Sequence, residues 1–461
     1  MGVTSNDNPP IIVWLRRDLR LADQAAFRAA AEMGPVIPVF VLDDDAPRDW
    51  RMGGASRWWL HHSLASLDES LRKHGSRLIL RRGKSHEALA AIRRETGARV
   101  VHCLRHYEPW WRNAERAVAK QFELHCHDGN YLAPPGSVQT DAGTPYKIYT
   151  PFWRALSERL PPSEPAPAPR KLDAPRWWPE SDKVADWALL PEKPDWAGGL
   201  KEEWTPGEVG AAKRLKAFAK HAAAYGTGRN LPSDDVTSRL SPHLHFGEIS
   251  PATVWHAVAD AGGSVATYLG ELGWRDYAQN VILQLPDYGR RNGREGFSAL
   301  AWRTGKQAEA DLAAWQQGRT GYPIVDAGMR QLWHTGWMHN RVRMITASFL
   351  IKHLLIDWRE GERWFWDTLV DADYGSNAVN WQWSAGTGID ANMFSRVMAP
   401  LTQSSKFDAA GYIRTWVPEL AKLDDDAIHE AKGRPRGYPA PIIGHKEGRE
   451  RALAALSKAK Q

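Results

Sequence analysis

The order of apolar and polar positions divides the chain into two kinds of segment. In the first 130 residues, the continuous apolar runs Ile11–Leu15 and Val36–Leu42 predict buried strands, and the shorter runs 78–80 and 100–101 resemble them. Between the strands, leucines recur at helical spacing; they are Leu60, Leu64, Leu67 and Leu71. We expect Gly75 to stop that helix, Ser85 to cap the next one, and Gly97 to end it.

Strands that alternate with helices predict a parallel, doubly wound sheet in an α/β domain over residues 1–135. The loop after the first strand reads RRDLR at 16–20, so it lacks the G-x-G-x-x-G fingerprint of dinucleotide-binding domains. A dinucleotide bound by this chain is therefore not expected at that turn.

A proline-rich segment separates this domain from the rest of the chain. Nine prolines fall between positions 161 and 194, which is too dense for helix or sheet, so 136–205 is predicted to be an extended linker. The remainder, 206–461, shows helical patterns and is predicted to be a larger all-α domain. The clearest patterns lie at 211–224, 251–261, 268–285, 322–333, 340–355 and 362–370.

Composition narrows the setting in which the protein works. The 461 residues carry a net charge of +6, which permits a polyanionic partner without requiring one. Two cysteines make neither a disulfide scaffold nor a four-cysteine iron–sulfur site, so we expect a reducing, cytoplasmic location. The N-terminus lacks the features of a signal peptide, and no apolar run reaches the roughly 18 residues of a membrane span. A monomer is expected.

Tryptophan is concentrated between positions 333 and 383. Seven indoles fall in this stretch: Trp333, Trp337, Trp358, Trp364, Trp366, Trp381 and Trp383. Indole stacks well on flat π systems and is easily oxidised, so the segment is able to stack a ligand or to pass electrons to one. The competing interpretation, which the segment alone favours, is a core rich in tryptophan.

Two further patterns combine polar and aromatic groups in ways that suit a ligand site, and the first of them suits a phosphate. Thr237 to Pro242 places two hydroxyls and an arginine at a predicted helix start, although an ordinary helix cap explains the same residues. Glu271, Trp274 and Arg275 fall on adjacent turns of one helix, where they form either a pocket wall or a salt bridge beside a core tryptophan.

A third pattern begins at His339, where Arg341 and Arg343 lie at a predicted helix start. The helix dipole disfavours cations there, so acidic partners or an anionic ligand are expected. Asp371 and Asp373 are the candidate partners of Arg343, and 375–377 is predicted to be a turn leading to Trp381 and Trp383. The two indoles are expected to lie in a non-helical turn and to point to opposite faces. The two aspartates do not have the spacing of an EF-hand, and no metal site is expected.

Long motifs in a fixed order resemble the photolyase/cryptochrome family, and in particular its cyclobutane pyrimidine dimer photolyases. The resemblance covers nearly the whole chain. The motifs are VWLRRDLRLAD, GGASRWWLHHSLASLDESL, GTGRNLPSDDVTSRLSPHLHFGEIS, ELGWRDY, GRTGYPIVDAGMRQLWHTGWMHNRVRMITASFL, DWREGERWFWDTLVDAD and NWQWSAGTG.

The resemblance implies that the helical domain binds FAD in a bent shape. The residues implied to surround its phosphates and ribitol are Tyr225, Thr237, Ser238, Arg239, Leu240 and Ser241. Those implied on its adenine and substrate side are Tyr268, Glu271 and Arg275. Those implied to contact or support the flavin ring are Asn340, Arg343, Asp371, Asp373 and Asn377, with Asn377 facing flavin N5. Asn377 would help to hold the flavin in its reduced, anionic form, which the resemblance implies is the repair-competent state.

The implied activity is light-driven electron transfer from reduced FAD to a pyrimidine dimer flipped out of UV-damaged DNA, single- or double-stranded. Trp274 and Trp383 would grip the lesion, Glu271 would hydrogen-bond it, and Met344 favours the cyclobutane substrate. Arg229, Arg341 and Arg396 would neutralise flanking phosphates, and their contacts carry no base-sequence information. The segment SRVMAP at 395–400 departs from the family's common FRIFNP-like sequence around Arg396.

The resemblance also implies a tryptophan relay that photoreduces oxidised flavin. Trp381 and Trp358 match its inner members, and Trp302 is preferred over Trp315 as the outer one. An antenna pigment is expected in the N-terminal domain, where His106 to Trp111 lie in the region of folate contacts. Methenyltetrahydrofolate is favoured, while a deazaflavin and an empty site stay open. A cryptochrome that signals without repair is the alternative function.

Overall fold

The computed structural model describes residues 9–459, and the predicted absence of a signal peptide rests partly on residues outside this range. The chain forms two compact units. The first comprises residues up to Ala197 together with Trp204–Ala223 and Ser238–Pro286; the second comprises Gly198–Glu203, Ala224–Thr237 and the residues from Asp287 onwards. Each unit is described by itself.

A five-stranded parallel sheet forms the centre of the first unit. Its strands are β1 (Ile11–Leu15), β2 (Val36–Leu42), β3 (Ile79–Arg82), β4 (Val100–Leu104) and β5 (Glu123–His127), in the spatial order β3-β2-β1-β4-β5. Strand β1 pairs with β2 on one side and with β4 on the other, so the order reverses at β1. The predicted doubly wound parallel sheet is confirmed, and its crevice belongs at this reversal.

Helices make up the other regular structure of the described residues, apart from short 3-10 turns. They are α1 (Ala25–Met33), α2 (Gly54–Lys73), α3 (Ser85–Thr96), α4 (Pro109–Ala119), α5 (Tyr149–Ser157), α6 (Gly198–Glu203), α7 (Glu208–Ala219), α8 (Tyr225–Gly228), α9 (Ser241–His245), α10 (Pro251–Ala259), α11 (Ala266–Gln284), α12 (Lys306–Gln316), α13 (Pro323–Thr335), α14 (Asn340–Ser348), α15 (Trp358–Thr368), α16 (Tyr374–Ala385), α17 (Pro400–Lys406), α18 (Ala410–Trp416), α19 (Asp425–Ile428) and α20 (His445–Ala459). The predicted helical C-terminal part is confirmed.

Two details of the sheet unit differ from the sequence prediction. Strand β5 was missed because its sequence, ELHCH, lacks the continuous apolar run of the other strands. Ser85 does not cap α3: the cap residue is Lys84, and the Ser85 hydroxyl is buried without a hydrogen-bond partner among the described residues. Gly97 does end α3, in the left-handed conformation that favours glycine.

The predicted linker, 136–205, is not extended throughout. It contains α5, whose first residue, Tyr149, donates a hydrogen bond from its hydroxyl to the carbonyl of Gly270 at 2.6 Å. Burial of Phe152 and Leu156 supplies this helix with an apolar face. The prolines begin at position 161, after this helix. The linker prediction extended the character of the proline-rich stretch to the residues before it, so α5 was missed.

The helical pattern predicted over 340–355 changes type partway. Helix α14 ends at Ser348, and a π-helical segment, Phe349–His353, continues it. The apolar side chains of this segment are buried, so the hydrophobic pattern that predicts a helix holds across both parts. Sequence periodicity does not separate the two types because a π segment shifts the repeat by only one residue.

Residues 238–286 pack within the sheet unit through the loop that follows β1. The N–H of Leu19 donates to the carbonyl of Phe246 at 3.0 Å, and Arg20 Nη1 donates to the carbonyl of Gly247 at 3.0 Å. Gly247 has a φ of +65°, and a Cβ there would lie 2.5 Å from the Cα of Asp18 and closer still to the carbonyl oxygen of Arg17. Backbone conformation and space therefore both demand glycine.

Gly247→Ala is expected to lower the free energy of unfolding by roughly 2–4 kcal/mol, because left-handed strain adds to overpacking against the β1 loop. Denaturant titration measures the change. Gly262→Ala is the matched control, since its φ of +73° is similar but nothing lies within 4 Å of the added methyl group. Equal losses in the two variants would contradict the close approach at Gly247.

Candidate functional site

A buried ion pair in the second unit joins α14 to the segment that precedes α16. Arg343 Nη2 donates to Asp371 Oδ2 at 2.9 Å, and Arg343 Nε donates to the carbonyl of Met338 at 2.8 Å. The Asp371 side chain is 4% exposed, and its Oδ1 is buried without a hydrogen-bond partner in the described part of the chain. The predicted ion pair is present, and Oδ1 offers an acceptor to a ligand.

A second buried carboxyl group lies on α15. Asn377 Nδ2 donates to Oε1 of Glu362 at 2.8 Å and to its backbone carbonyl at 3.1 Å. Burial raises the pKa of Glu362 to about 8, against a smaller lowering by the Asn377 hydrogen bond. The carboxyl is therefore protonated at neutral pH, and Oε2, which has no partner among the described residues, carries the proton. With both Nδ2 hydrogens engaged, Asn377 has its carbonyl oxygen left for a ligand.

The segment predicted to be a turn at 375–377 is the first turn of α16. Asp373 caps this helix, its side chain accepting a hydrogen bond from the N–H of Ser376 at 2.7 Å. Aspartate is a favoured cap because its carboxylate satisfies an otherwise unpaired helix N–H. Of the two aspartates proposed for Arg343, Asp371 makes the ion pair and Asp373 makes the cap.

Trp381 and Trp383 lie inside α16, so the expectation that they occupy a non-helical turn is wrong. An α-helix turns about 100° per residue, so positions two apart point in nearly opposite directions, whereas in an extended segment they would share one face. Trp381 is 3% exposed, whereas Trp383 is half-buried. The two indoles therefore point to opposite sides of α16 because the segment is helical, and not for the reason that a non-helical turn would have supplied.

The six-membered ring of Trp381 closely approaches α15 at Gly361. A Cβ at Gly361 would overlap the Trp381 ring and lie 2.6 Å from Leu350 Cδ2, so no larger residue fits beneath the indole. Phe365 and Trp315 flank the ring edge-on, with centroids 4.9 and 6.3 Å away. Trp381 is consequently held in one orientation by contacts on several sides.

The other predicted relay residues differ in exposure. Trp358 is fully buried, and its Nε1 donates to Asn292 Oδ1 at 3.1 Å. Trp302 is half-buried, while Trp315 is fully buried and its Nε1 donates to the carbonyl of Thr346 at 3.1 Å. An outer relay member must give up charge near solvent, so this contrast favours Trp302.

Three arginines predicted to contact DNA influence one another in the second unit. Arg341 donates to Asn230 Oδ1 through Nε at 3.2 Å and Nη2 at 2.5 Å, and its guanidinium lies 4.6 Å from the centroid of the Phe407 ring. Burial lowers the Arg341 pKa, and the positive charges of Arg229 and Arg396 lower it further. The structure thus concentrates positive charge that an anionic partner would relieve.

Met344 adjoins this arginine cluster. Its sulfur lies 3.6 Å from Arg341 Nη1, and its side chain is half-buried. Asn340, the first residue of the same helix, is exposed, and the N–H of Arg341 is capped by His339 Nδ1 at 3.2 Å. The helix start that carries Arg341 and Arg343 is therefore capped by a side chain, and both guanidinium groups have hydrogen-bond partners.

The phosphate-side residues of the first unit surround the start of α9. The Ser238 hydroxyl accepts from the N–H of Leu240 at 3.3 Å, and Arg239 has a φ of +49°. A left-handed backbone is costly for arginine, and such conformations cluster at functional sites. The conformation of Arg239 therefore marks this turn as a candidate functional position. Burial raises the pKa of Tyr268, while a hydrogen bond with Ser238 acts the other way.

Helix α11 of the first unit carries the predicted lesion residues. Trp274 is half-buried, and one face of its ring stacks on Tyr149 with centroids 3.6 Å apart and planes 10° apart. Arg275 donates to the carbonyls of Asn130 at 2.6 Å and Leu244 at 3.1 Å, so it also fixes the surrounding backbone. Glu271, one turn earlier on the helix, is partly exposed.

The predicted site residues fall in both units. The first unit contains Ser238, Arg239, Leu240, Ser241, Tyr268, Glu271, Trp274 and Arg275. The second contains Tyr225, Arg229, Thr237, Trp302, Asn340, Arg341, Arg343, Met344, Trp358, Asp371, Asp373, Asn377, Trp381, Trp383 and Arg396. Within the second unit, the structure brings together Arg343 with Asp371, and Arg341 with Arg229, Arg396 and Met344.

Sequence reasoning missed Glu362, Gly361 and Tyr149. Glu362 carried a usable signal, because a carboxylate precedes Phe365 and Trp366 at helical spacing on an apolar face. Gly361 and Tyr149 carried none, since the close approach of Trp381 and the stacking of Trp274 depend on residues distant in the sequence.

A crevice opens in the first unit beyond the carboxyl ends of β1 and β2. Its walls include Arg16, Asp44, Trp50, Trp110 and Trp111, and it is partly open to solvent. The guanidinium of Arg16 lies 5.6 Å from the centroid of the Trp111 ring. Cationic, acidic and aromatic groups therefore converge where a doubly wound sheet binds ligands.

Comparison with known proteins matches both parts of the chain to one family. Residues 11–170 match the family model for DNA photolyase, and residues 268–458 match the model for the FAD binding domain of DNA photolyase. The chain belongs to the photolyase/cryptochrome family and contains its FAD-binding domain.

Relatives are similar over nearly the full length. A deoxyribodipyrimidine photo-lyase of Agrobacterium fabrum is 47% identical, with 98% of each chain covered. Cryptochrome-1 of Arabidopsis thaliana is 36% identical over 97% of this chain and 70% of its own length. The crystal structure of a bacterial class III photolyase from Agrobacterium tumefaciens superposes with a TM-score of 0.94, at 46% identity and 99% coverage of both chains. An archaeal photolyase from Sulfolobus tokodaii, described with two FAD molecules, gives 0.83 at 30% identity, covering 97% of this chain and 99% of its own.

A search of residues 9–459 found no helix with both the length and the apolar character that a membrane crossing requires.

The free energy of unfolding of the Glu362→Gln variant, relative to that of the unsubstituted protein, is expected to increase as pH rises from about 5 to 8. The folded protein keeps the Glu362 proton up to a pKa of about 8, whereas the unfolded chain releases it near 4.5. The folded state therefore binds more protons in this window, and its stability falls by up to about 1.4 kcal/mol per pH unit through this group. Glutamine cannot titrate and removes that loss.

Urea titration of both proteins at matched flavin content, from pH 5 to pH 9, measures the difference. The exposed Glu69→Gln serves as a control, because Glu69 lies on the surface and its pKa is lowered by Lys73. A Glu362→Gln difference that does not vary with pH would contradict a protonated Glu362.

Proposed function

We propose that this protein repairs cyclobutane pyrimidine dimers in UV-damaged DNA by light-driven electron transfer. The observation that carries the proposal is that Arg229 and Arg396 both act electrostatically on Arg341, whose Nη1 lies 3.6 Å from the Met344 sulfur. Three positive charges in one region favour a polyanionic partner, and DNA supplies a row of phosphates. The high similarity to a deoxyribodipyrimidine photo-lyase supports the same conclusion.

The residues of the second unit fit an FAD ring. Asp371 Oδ1, buried and without a partner among the described residues, is an acceptor for a ring N–H, and Arg343 balances the charge of the carboxylate. Asn377 presents its carbonyl oxygen, because Glu362 holds the amide nitrogen. Bound reduced FAD would supply the electron that the lesion accepts under light.

Glu362 has a positioning task in this proposal. It holds the Asn377 amide by two hydrogen bonds, one to its carboxyl and one to its backbone, so the amide cannot rotate freely. A protonated Glu362 also adds no negative charge beside the flavin. The chain thereby offers flavin N5 an acceptor of fixed orientation, which suits a reduced flavin that keeps hydrogen on N5.

Each unit offers one aromatic side chain that is assigned to stack on the flipped lesion. Trp383 is half-buried and so offers part of its ring to a base, and Trp274 offers the face opposite Tyr149. Stacking on aromatic rings tolerates any base sequence, while the arginines hold phosphates. Glu271 is assigned to hydrogen-bond the pyrimidine edge, and Met344 to contact the saturated ring.

Trp381, Trp358 and Trp302 are assigned to the relay that returns oxidised flavin to its reduced state. Burial and fixed packing of Trp381 and Trp358 limit solvent reorganisation around them. Half-burial of Trp302 allows the last positive charge to reach water.

We also propose that the crevice of the first unit holds a light-harvesting chromophore. Methenyltetrahydrofolate is the favoured pigment and a deazaflavin the other possibility, since Trp50, Trp110 and Trp111 provide aromatic walls for either. The archaeal photolyase with two FAD molecules shows that a relative of this fold carries a second chromophore. A pigment extract of the purified protein identifies the molecule.

Cryptochrome-type light sensing without repair is the second candidate function. The 36% identity to Cryptochrome-1 favours it, because the same fold and cofactor would serve both activities. Repair of dimers separates the two functions.

The reduced, flavin-loaded protein is expected to remove cyclobutane dimers from irradiated oligothymidine only in the light. High-performance chromatography of the oligonucleotide measures the loss. No repair by the reduced protein would leave the cryptochrome function.

Substitution of the two indoles of α16 is expected to separate two activities. Trp383→Ala should weaken binding to damaged DNA by roughly 5- to 150-fold, because loss of one stacked base costs about 1–3 kcal/mol. Trp381→Phe should leave that binding within about twofold but abolish photoreduction of oxidised flavin. Filter binding and flavin absorption under blue light measure the two effects, and the reverse assignment of effects would contradict the site.

Arg396→Gln is expected to weaken DNA binding about fivefold near physiological salt, and to reduce the slope of log affinity against log salt by about one. Arg396 is exposed, so the change removes charge without disturbing the core. Arg94→Gln, an exposed arginine on α3, makes the same charge change as a control. Equal salt slopes for both variants would exclude a phosphate contact at Arg396.

A further inference from the structure

The only two cysteines of the chain lie side by side in the sheet of the first unit. Cys103 on β4 and Cys126 on the edge strand β5 are direct register partners, and their sulfurs are 3.6 Å apart. Both are free thiols. Neighbouring strands place Cα atoms about 4.8 Å apart, inside the roughly 4.4–6.8 Å range of disulfides. Side-chain rotation alone can therefore bring the two sulfurs together.

The two thiols differ in reactivity. A hydrogen bond with Cys103, assisted by Arg105, lowers the pKa of Cys126 to about 6. The same hydrogen bond and burial raise the pKa of Cys103 well above its usual value. The opposite directions of the two shifts favour the thiolate on the half-buried Cys126, beside Arg105, and the protonated thiol on Cys103.

A carboxylate completes the cluster. An oxygen of Glu115, on α4, lies within 4.8 Å of both sulfurs. Two thiols and a carboxylate at these distances could alternatively be ligands of a metal ion. However, Arg16 Nη1 lies 2.8 Å from Glu115 Oε1, and Arg105 Nε lies 3.8 Å from Oε2. Two guanidinium groups oppose a further cation and favour a thiolate, so the surroundings suit redox chemistry better than metal binding.

We propose that Cys103 and Cys126 are an oxidation site that closes reversibly into a cross-strand disulfide in the presence of peroxide. The Cys126 thiolate attacks one peroxide oxygen and the O–O bond breaks. Cys126 becomes a sulfenic acid, and the other oxygen departs as hydroxide. The Cys103 sulfur then displaces that oxygen as water, its proton passing to the departing oxygen with Glu115 placed to relay it. The two sulfurs lose two electrons and the peroxide gains them.

Reduction reverses the site without a dedicated partner protein. A small dithiol attacks the disulfide, forms a mixed disulfide, and leaves as its own cyclic disulfide while both cysteines recover their protons. Oxidation removes the negative charge of the Cys126 thiolate that faces Arg105. The other cysteine, Cys103, directly precedes Leu104, whose carbonyl accepts a hydrogen bond from Arg16. Arg16 lines the crevice, so the site lies next to the wall of the proposed pigment pocket.

The test uses the flavin-loaded protein in the dark, treated with one to a few equivalents of hydrogen peroxide. We expect the intact mass to fall by two hydrogen atoms, and a non-reducing peptide map to join the peptides that contain Cys103 and Cys126. Dithiothreitol should restore the original mass. Because the chain has two cysteines, these readings have one assignment.

Variants assign the roles. Cys103→Ser should leave Cys126 as a sulfenic acid that dimedone traps, whereas Cys126→Ser should leave Cys103 unmodified. Arg105→Gln should move the midpoint of the pH profile for iodoacetamide alkylation of Cys126 upward by roughly one pH unit, since it removes a nearby cation. Arg99→Gln, an exposed arginine just before β4, is the matched control and should not move it.

Three results would overturn the proposal. One is irreversible oxidation of Cys126 to a sulfinic acid while Cys103 stays free, and another is no reaction with peroxide. The third is uptake of one equivalent of Zn²⁺ by the reduced protein, with protection of both thiols and no disulfide on oxidation. Equal alkylation midpoints in Arg105→Gln and Arg99→Gln would also count against it.

Discussion

A buried carboxyl group needs hydrogen-bond partners, and two such groups connect elements of the second unit. Asp371 pairs one oxygen with Arg343, which joins α14 to the segment before α16, and Glu362 pairs one oxygen with Asn377, which joins α15 to α16. Each group keeps a second oxygen without a partner among the described residues. The helices are thus joined by the same residues that offer hydrogen-bonding capacity to a ligand, and stability and binding depend on one set of side chains.

The tryptophans acquire distinct tasks through packing. Indole chemistry alone makes each of them a possible electron donor or stacking surface. Trp381 is fixed against Gly361 and is almost inaccessible, whereas Trp383, two residues later on the same helix, remains partly open. In the proposed function, the helical rotation between them would separate electron delivery from base stacking, so the two processes would not compete for one ring.

Most of the architecture was predictable because long apolar runs and leucine spacing report directly on buried strands and helices. Strand β5 escaped because its histidines and cysteine do not form such a run, although pairing with β4 still makes it a strand. Motif resemblance correctly anticipated the Arg343–Asp371 pair, but it could not reveal Gly361 or Tyr149. Those residues matter through close approaches between segments far apart in sequence, and one sequence contains no record of such distances.

The π-helical segment Phe349–His353 carries a consequence for how relatives are compared. A π segment is in effect an α-helix that has absorbed one extra residue without opening a loop. A homologue lacking that residue would keep Arg343 and Met344 in place, upstream of the change, yet every later position would be numbered one lower. A single-residue gap at this point of an alignment would therefore mark a change in helical winding inside a buried core, and not the length variation usual for surface loops.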